Sequence, residues 1–373
     1  MHDLSLTQKT AEIRPQIDQI ADLHLSDKQL SDLTTLHLGG RPLLTAHCYS
    51  PEAAVELVKL FDAAQVPVLI VGGGSNLVVA DGDLNVVAVV LEFDSITLDP
   101  ITGVVRADAG AVWDDVVSLA VEANLGGIEC LSGIPGSAGA VPVQNVGAYG
   151  AEISQVLTRV RLYDRTTGQV QWHPASSLEL SYRYSNLKFT ARALVLEIEL
   201  QLDVAVMSAP LRFGELARRL GVTSDAERKP VGEVRDTVLH LRAGKGMVVD
   251  PQDHDTWSAG SFFTNPVVDN HIADSIREST GEESMPCYPV AGTDQSKLSA
   301  AWLIERAGFP KGYPSPGAAV SLSTKHTLAL TNRGGATTSD LVSLAREIRS
   351  GVAEKFGVVL HPEPVWVGVE IDA

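Results

Sequence analysis

Residues Ser50–Asn76 read SPEAAVELVKLFDAAQVPVLIVGGGSN. Ser50, Pro51 and Glu52 form a helix start: a capping hydroxyl, a proline at the first helical position and an acid in the first turn. Val55, Leu57, Val58 and Phe61 recur at helical spacing, which predicts a helix over Glu52–Gln65. The apolar run Val66–Val71 predicts a buried strand that breaks at Gly72-Gly73-Gly74-Ser75-Asn76. A second run, Val86–Leu91, predicts another strand and completes a β-α-β start.

Glycines let backbone N–H groups converge without Cβ obstruction, so a strand ending in GGGSN can form an anion nest, with Ser75 and Asn76 adding side-chain donors. It is not a dinucleotide fingerprint, because Leu77 stands where the last glycine would be, and no GK[ST] follows to make a Walker loop. A second stretch, Gly133-Ile134-Pro135-Gly136-Ser137-Ala138-Gly139, is expected to enter a short helix whose N-terminus favours an anion. Two such loops, ~60 residues apart, suit a diphosphate spanning two lobes. A pair of tight packing turns is the alternative these residues leave open.

Outward from the loops, Val104–Asp108 predicts a strand and Val112–Asn124 an amphipathic helix. Thr158, Val160 and Leu162 alternate with arginines and turn through Thr166-Thr167-Gly168 into Gln169–Trp172, a hairpin. Leu194, Leu196, Ile198, Leu200 and Leu202 alternate with polar residues as a half-buried strand. Pro230 starts a helix ending near Arg242–Gly246, and Asp250–Trp257 reads as a boundary. Beyond it the pattern predicts a strand at Ser261–Phe263, a helix over Asp294–Ala307 and a strand at Thr327–Leu330. A helix capped by Ser339 and a strand over Val358–Val369 complete the chain. Residues 1–30 read as a polar, weakly helical extension. The mixture is α+β.

The chain of 373 residues carries 29 Lys+Arg against 46 Asp+Glu, a net charge of −17. It therefore lacks the broad basic field that nucleic acid or an anionic membrane requires. Hydrophobic residues at 45% and charged residues at 20% exclude a disordered chain. Cys48, Cys130 and Cys287 form no CxxC or zinc spacing, which points to a reducing compartment and to no metal site. No signal peptide and no spanning segment is read, so the expectation is a cytoplasmic protein, monomeric rather than an obligate oligomer.

Several segments together resemble the UDP-N-acetylenolpyruvoylglucosamine reductase family. They are Thr34–Gly40 (TTLHLGG), Val71–Leu77 (VGGGSNL), Ser132–Gly150 (SGIPGSAGAVPVQNVGAYG), Ser181-Tyr182-Arg183, Ala259–Pro266 (AGSFFTNP), Leu298–Ile304 (LSAAWLI) and Pro362-Glu363-Pro364-Val365. The resemblance implies a two-lobed FAD-binding domain of the vanillyl-alcohol-oxidase type plus a separate α+β substrate domain. The implied divisions are residues 1–92 (extension and first FAD lobe, joined by the tail 357–373), 93–245 (second FAD lobe) and 246–356 (substrate domain). It implies non-covalent FAD, NADPH as electron donor and a UDP-sugar substrate reduced in peptidoglycan precursor synthesis.

The resemblance assigns FAD contacts to Gly72, Gly73, Gly74, Ser75, Asn76 and Leu77, and to Gly133, Ile134, Pro135, Gly136, Gly139, Ala140, Asn145, Gly147, Ala148, Tyr149 and Gly150. It gives Arg183 the substrate carboxylate, where a guanidinium binds at two points. Ser261 becomes the proton donor and Glu363 the carboxyl that, in its protonated form, steadies the developing charge. The prolines beside Glu363 point to a sheet-edge position. Lys245 and Asn265 are implied to hold the nucleotide diphosphate, with Tyr182 lining the pocket. Phe213 departs from the longer-loop subtype, whose members carry Tyr there, and Thr264 stands where many members have Lys. A flavin oxidase and a non-catalytic binding protein are the competing readings, and the trio Arg183, Ser261 and Glu363 disfavours both.

Overall fold

The computed structural model describes residues 4–211, 214–224 and 226–372. They form two compact units. The first comprises the chain up to Leu33, Arg41–Gly74 and Asp83–Val248. The second comprises Thr34–Gly40, Ser75–Gly82 and the chain from Val249 onward. The tail from residue 357 thus shares a unit with the chain from Val249 and with the two short upstream segments.

In the first unit, a four-stranded sheet runs Leu23–Ser26, Leu44–Cys48, Val87–Leu91, Val68–Val71. The last three strands are parallel, and the first is antiparallel to its neighbour. Val87–Leu91 is buried throughout, as a central parallel strand must be. The crossover helix Pro51–Ala63 is capped by Ser50, whose Oγ accepts from Ala53 N at 3.2 Å, and it buries Ala53, Ala54, Leu57, Val58 and Phe61. The β-α-β expectation therefore holds within two residues at each helix end. The amino-terminal region is more than an extension. It forms a helix, Leu6–Ile17, and the strand Leu23–Ser26 closes an edge of this sheet.

A five-stranded antiparallel sheet follows, ordered Val170–Pro174, Leu157–Asp164, Ala193–Gln201, Val104–Asp108, Ile96–Asp99. Leu194, Leu196, Ile198 and Leu200 face the core. On the other face Glu199 accepts from Arg159 and Arg106, and those bonds hold its carboxyl down to about 2. The helix Trp113–Glu122 packs on this core through Trp113, Val116, Val117 and Ala120, and the helix Val231–Gly244 begins after Pro230 as expected.

The second unit departs further from the expected elements. The predicted helix over 294–307 is a strand, Gln295–Leu298, followed by a helix, Ala300–Arg306. Ser299 caps that helix, accepting from Trp302 N, and the strand is the centre of a sheet with Val267–Asp269 and Cys287–Pro289. The helix Asn270–Thr280 was not anticipated. The strand expected at 327–330 lies at Leu330–Asn332 and pairs with Val320–Leu322. Ser261–Phe263 reduces to a single bridge between Phe263 and Pro362. The last strand spans only Val365–Val367, parallel to Leu77–Val79, because Pro362 and Pro364 cannot donate to a ladder. The long helix Thr338–Phe356 is capped by Thr337, not Ser339. The Asp81 carboxylate accepts from Thr338 N and Ser339 N, which places Ser339 inside the first turn.

Candidate active site

The two glycine loops meet within the first unit. A Cβ on Gly73 would stand 2.5 Å from Gly136 Cα and 3.0 Å from its carbonyl carbon, and a Cβ on Gly72 would run into Ser137 Oγ. Gly74 at φ +60° and Gly136 at φ +125° use backbone conformations other residues rarely adopt. Glycine is therefore required by close approach of backbone to backbone. The boundary of the units falls between Gly74 and Ser75, so Ser75, Asn76 and Leu77 belong to the second unit.

The short helix expected after Gly136 is a three-residue 3-10 turn, Ala138–Ala140. Its N–H groups do not await an anion: Ala138, Gly139 and Ala140 donate to Ala111 O, Ala109 O and Ser137 O. Gly139 is a packing glycine, since a Cβ there would stand 2.5 Å from Ala109 Cβ. Ile134, Pro135, Gly136 and Ala140 keep partial exposure between buried neighbours.

Gly133, at φ +67°, is anchored by a residue the sequence reading passed over. Its N–H donates to Asp114 Oδ1 at 2.6 Å, and Arg235 grips the same carboxylate at 2.7 and 2.9 Å. Burial pushes the Asp114 carboxyl up, but Arg235 and the Gly133 N–H outweigh it and leave it below the usual range. Asp114-Asp115 in a first helical turn was the available signal. Asp114→Asn is expected to cost about 2 kcal/mol in urea unfolding near neutral pH. Because the folded-state pKa is depressed, this contribution is present above the unfolded carboxylate pKa and fades as pH falls through the folded one. The difference between Asp114→Asn and the parent should shrink correspondingly in acid. Arg242 also lies against Gly133, donating to Met247 O at 2.8 Å, and burial presses its guanidinium below its ordinary value.

Asn145 is fully buried in the left-handed region at φ +43°. Its Nδ2 donates to Ser181 O (2.8 Å) and Glu152 Oε2 (3.0 Å), while its Oδ1 accepts from Ser154 N at 3.2 Å. It ties the Gly147–Gly150 segment to the turn that carries Tyr182 and Arg183. Arg183, itself at φ +55°, donates through Nη2 to Gly147 O at 2.8 Å and lies over the Tyr182 ring, 5.2 Å from its centroid. A Cβ on Gly147 would meet Arg183 Nη1 at 3.2 Å. Tyr149, also left-handed at φ +51°, packs against the cluster that includes Cys130, Leu216, Val234 and Val238, and burial raises its phenol.

Lys245 closes the helix Val231–Gly244, and its Nζ pairs with Glu215 Oε2 at 2.5 Å. Phe213 and Arg212 lie outside the described residues.

In the second unit, Ser261 and Glu363 fall on adjacent rungs of a short backbone pairing. Glu363 N donates to Phe262 O at 2.9 Å, and Thr264 N donates to His361 O at 3.0 Å. On its other side, Glu363 O accepts from Asn76 Nδ2 at 3.5 Å, and Val365 N donates to Asn76 O at 2.9 Å. Glu363 is thus flanked by chain on both sides, which corrects the edge expectation: Pro362 and Pro364 occupy only positions where no donor is used. Phe262 and Phe263 are buried beneath them, edge to face. Asn265 turns its Oδ1 to Ala300 N at 3.0 Å, at the start of the helix Ala300–Arg306. Ser261 Oγ lies 3.4 Å from His326 Nε2, a neighbour the sequence reading did not single out.

Burial pushes the Cys48 and Cys130 thiols up to about 12, which makes them inert packing groups. Among the described residues, no three His, Cys, Asp or Glu side chains are placed to hold a metal, and no helix is long and apolar enough to cross a membrane.

Both glycine loops lie within the stretch that resembles an FAD binding domain, which makes the class a flavoprotein oxidoreductase. The family model for the FAD binding domain matches residues 42–173, and the UDP-N-acetylenolpyruvoylglucosamine reductase C-terminal domain model matches residues 250–367. UDP-N-acetylenolpyruvoylglucosamine reductase 2 of Corynebacterium glutamicum is 66% identical over 350 residues, covering 93% of this chain and 95% of that protein. The Mycobacterium marinum reductase is 54% identical over 351 residues, covering 91% and 94%. The solved UDP-N-acetylenolpyruvylglucosamine reductase of Thermus caldophilus shares the fold with a TM-score of 0.61 at 23% identity, over 92% of this chain and 99% of that one. The chain belongs to the UDP-N-acetylenolpyruvoylglucosamine reductase family.

Proposed function

We propose that this protein reduces the enolpyruvyl ether of UDP-N-acetylglucosamine-enolpyruvate to UDP-N-acetylmuramate, with NADPH as electron source. The observation that supports the reading best is the backbone pairing in which Glu363 N donates to Phe262 O, which brings the chain at Ser261 and the chain at Glu363 together. The glycine loops fit FAD in that Gly73 packs directly on Gly136 with no Cβ between them, while Ile134, Pro135, Gly136 and Ala140 stay partly exposed beside that contact. Gly72–Leu77, Ile134–Gly136, Ala140 and Gly147–Gly150 would hold it non-covalently, with Gly133, Gly139 and Asn145 bracing those loops. When bound, FAD would supply hydride chemistry at this site, and the residues here would hold the enolpyruvyl group with its methylene carbon open to reduction.

Hydride addition there leaves negative charge on the neighbouring carbon and its carboxylate, an enediolate. Arg183 grips the carboxylate, and its bond to Gly147 O supports that role by fixing the guanidinium plane. Protonated Glu363 donates a hydrogen bond to the same charge. Ser261 Oγ gives its proton to the carbon. Lys245 and the Asn265 Nδ2 hold the diphosphate, with Tyr182 beside Arg183. In this reading residues 1–92 with 357–373, 93–245 and 246–356 act as two FAD lobes and a substrate lobe, in a cytoplasmic monomer.

The test is a visible spectrum of the purified protein, followed by NADPH and then the enolpyruvyl substrate. Flavin bleaching by the first and recovery on adding the second, with oxygen excluded, is the expected sequence. A protein without flavin absorbance, or one that recovers only with oxygen, sinks the reading.

The Lys245–Glu215 pair carries a further expectation. Glu215 competes with a diphosphate for the ammonium, so Glu215→Gln should lower the substrate KM by a few-fold, about 0.5–1 kcal/mol for a partly exposed pair. An unchanged KM means that Lys245 does not meet the diphosphate.

A further inference from the structure

We propose that His326 is the positioning residue for Ser261, an inference that rests on the reading of Ser261 as proton donor. The two side chains meet at 3.4 Å, Oγ to Nε2. What singles His326 out is how the loop around it is held. Ser323, fully buried, accepts on its Oγ from Lys325 N at 3.0 Å and from His326 N at 3.2 Å. Thr324 donates through both N (2.9 Å) and Oγ1 (2.5 Å) to the buried carboxylate of Asp255. On the far side, Thr327 Oγ1 donates to Glu305 Oε1 at 2.5 Å. The backbone of the Ser261 segment is fixed to the same loop, since Phe262 N donates to Leu328 O at 2.7 Å.

The residues on both sides of His326 are thus committed to immobilising the loop, while its own ring is aimed at the hydroxyl. Such a supporting shell is what fixes a reacting group to a fraction of an ångström.

The direction of the bond follows from the chemistry. A serine that donates its proton to carbon must point Oγ–H at the substrate, so a neighbouring group has to donate to Oγ rather than accept from it. His326 does this when Nε2 carries the hydrogen. As the Ser261 O–H bond breaks and the substrate C–H bond forms, the electron pair stays on Oγ. The Nε2–H stabilises that alkoxide until a proton from water restores the hydroxyl.

The test compares His326→Leu, His326→Gln and Ser261→Ala in the FAD-loaded protein. Each is reduced with dithionite under exclusion of oxygen and mixed with the enolpyruvyl substrate, and the return of oxidised-flavin absorbance is followed. His326→Leu should slow that step by about 10- to 100-fold at unchanged flavin content. His326→Gln should recover most of the rate, because the glutamine amide can place an N–H where Nε2–H stood. Nitrogen NMR of the imidazoles should show a hydrogen-bearing Nε2 on His326 whose resonance moves in Ser261→Ala.

A normal rate in His326→Leu, equal slowing in His326→Gln, or a His326 resonance indifferent to Ser261→Ala overturns the proposal. A normal rate in Ser261→Ala removes the donor reading itself, and so distinguishes that failure from failure of the histidine alone.

Discussion

Ser261→Ala should leave reduction of the flavin by NADPH within about twofold of the parent, yet slow reduction of the enolpyruvyl substrate by about 10²–10⁴-fold. The asymmetry follows from where the hydroxyl stands. Ser261 is on the rung next to Glu363, and its proposed role concerns the protonation of a substrate carbon only. Alanine removes the Oγ–H and retains the Cβ, so the backbone bonds of Phe262 to Leu328 and of Glu363 to Phe262 persist. Stopped-flow measurement of the two half-reactions separates the effects. Parallel loss in both would show that the substitution damages the scaffold and that Ser261 is not the donor.

The second large effect is expected at Gly73. An alanine Cβ there meets backbone atoms of Gly136 at 2.5, 3.0 and 3.2 Å, and none of these can rotate aside. The two loops must separate, at a cost of about 1–3 kcal/mol from overpacking. Their separation also spoils the proposed FAD cradle, so Gly73→Ala should purify with less than about a tenth of the parent's flavin, an affinity loss of at least ~1.4 kcal/mol. The control is Gly232→Ala. Gly232 lies inside the helix Val231–Gly244, and its added Cβ meets nothing within 4 Å. It should raise stability by about 0.5–1 kcal/mol and leave flavin content alone. Normal flavin occupancy in Gly73→Ala would remove the first loop from the cofactor site.

Local signals in the sequence carried the first unit well. The Ser50-Pro51-Glu52 start, the Val68–Val71 run and the alternation through Leu200 each specify an element from nearest neighbours alone. Glycine content announced the loops but not that Gly73 would need Gly136 as its neighbour, because close approach is a property of two distant segments. The strand Leu23–Ser26 was illegible for the same reason: four residues become a strand only through pairing with Thr45–Cys48. In the second unit, the stretch 294–307 contains both a strand and a helix, and only the Ser299 cap marks the change. The site residues were named by resemblance to a family. Their supports were harder to read: Asp114 shows locally only as an acid in a first helical turn and His326 has no local signature, since their meaning comes from contacts 19 and 65 residues away in the chain.

The strand Leu77–Val79 and the carboxylate of Asp81 belong to the same unit as Val365–Val367 and the helix Thr338–Phe356. Biosynthesis therefore makes the segment 75–82 long before its partners emerge, and a chain cut at Val249 would never acquire it. The carboxy-terminal portion released alone would expose Val365–Val367 as an unpaired edge and lose the Asp81 carboxylate from its long helix. Its consolidation waits until Val365–Val367 has been made and closes a loop of nearly three hundred residues onto the strand Leu77–Val79.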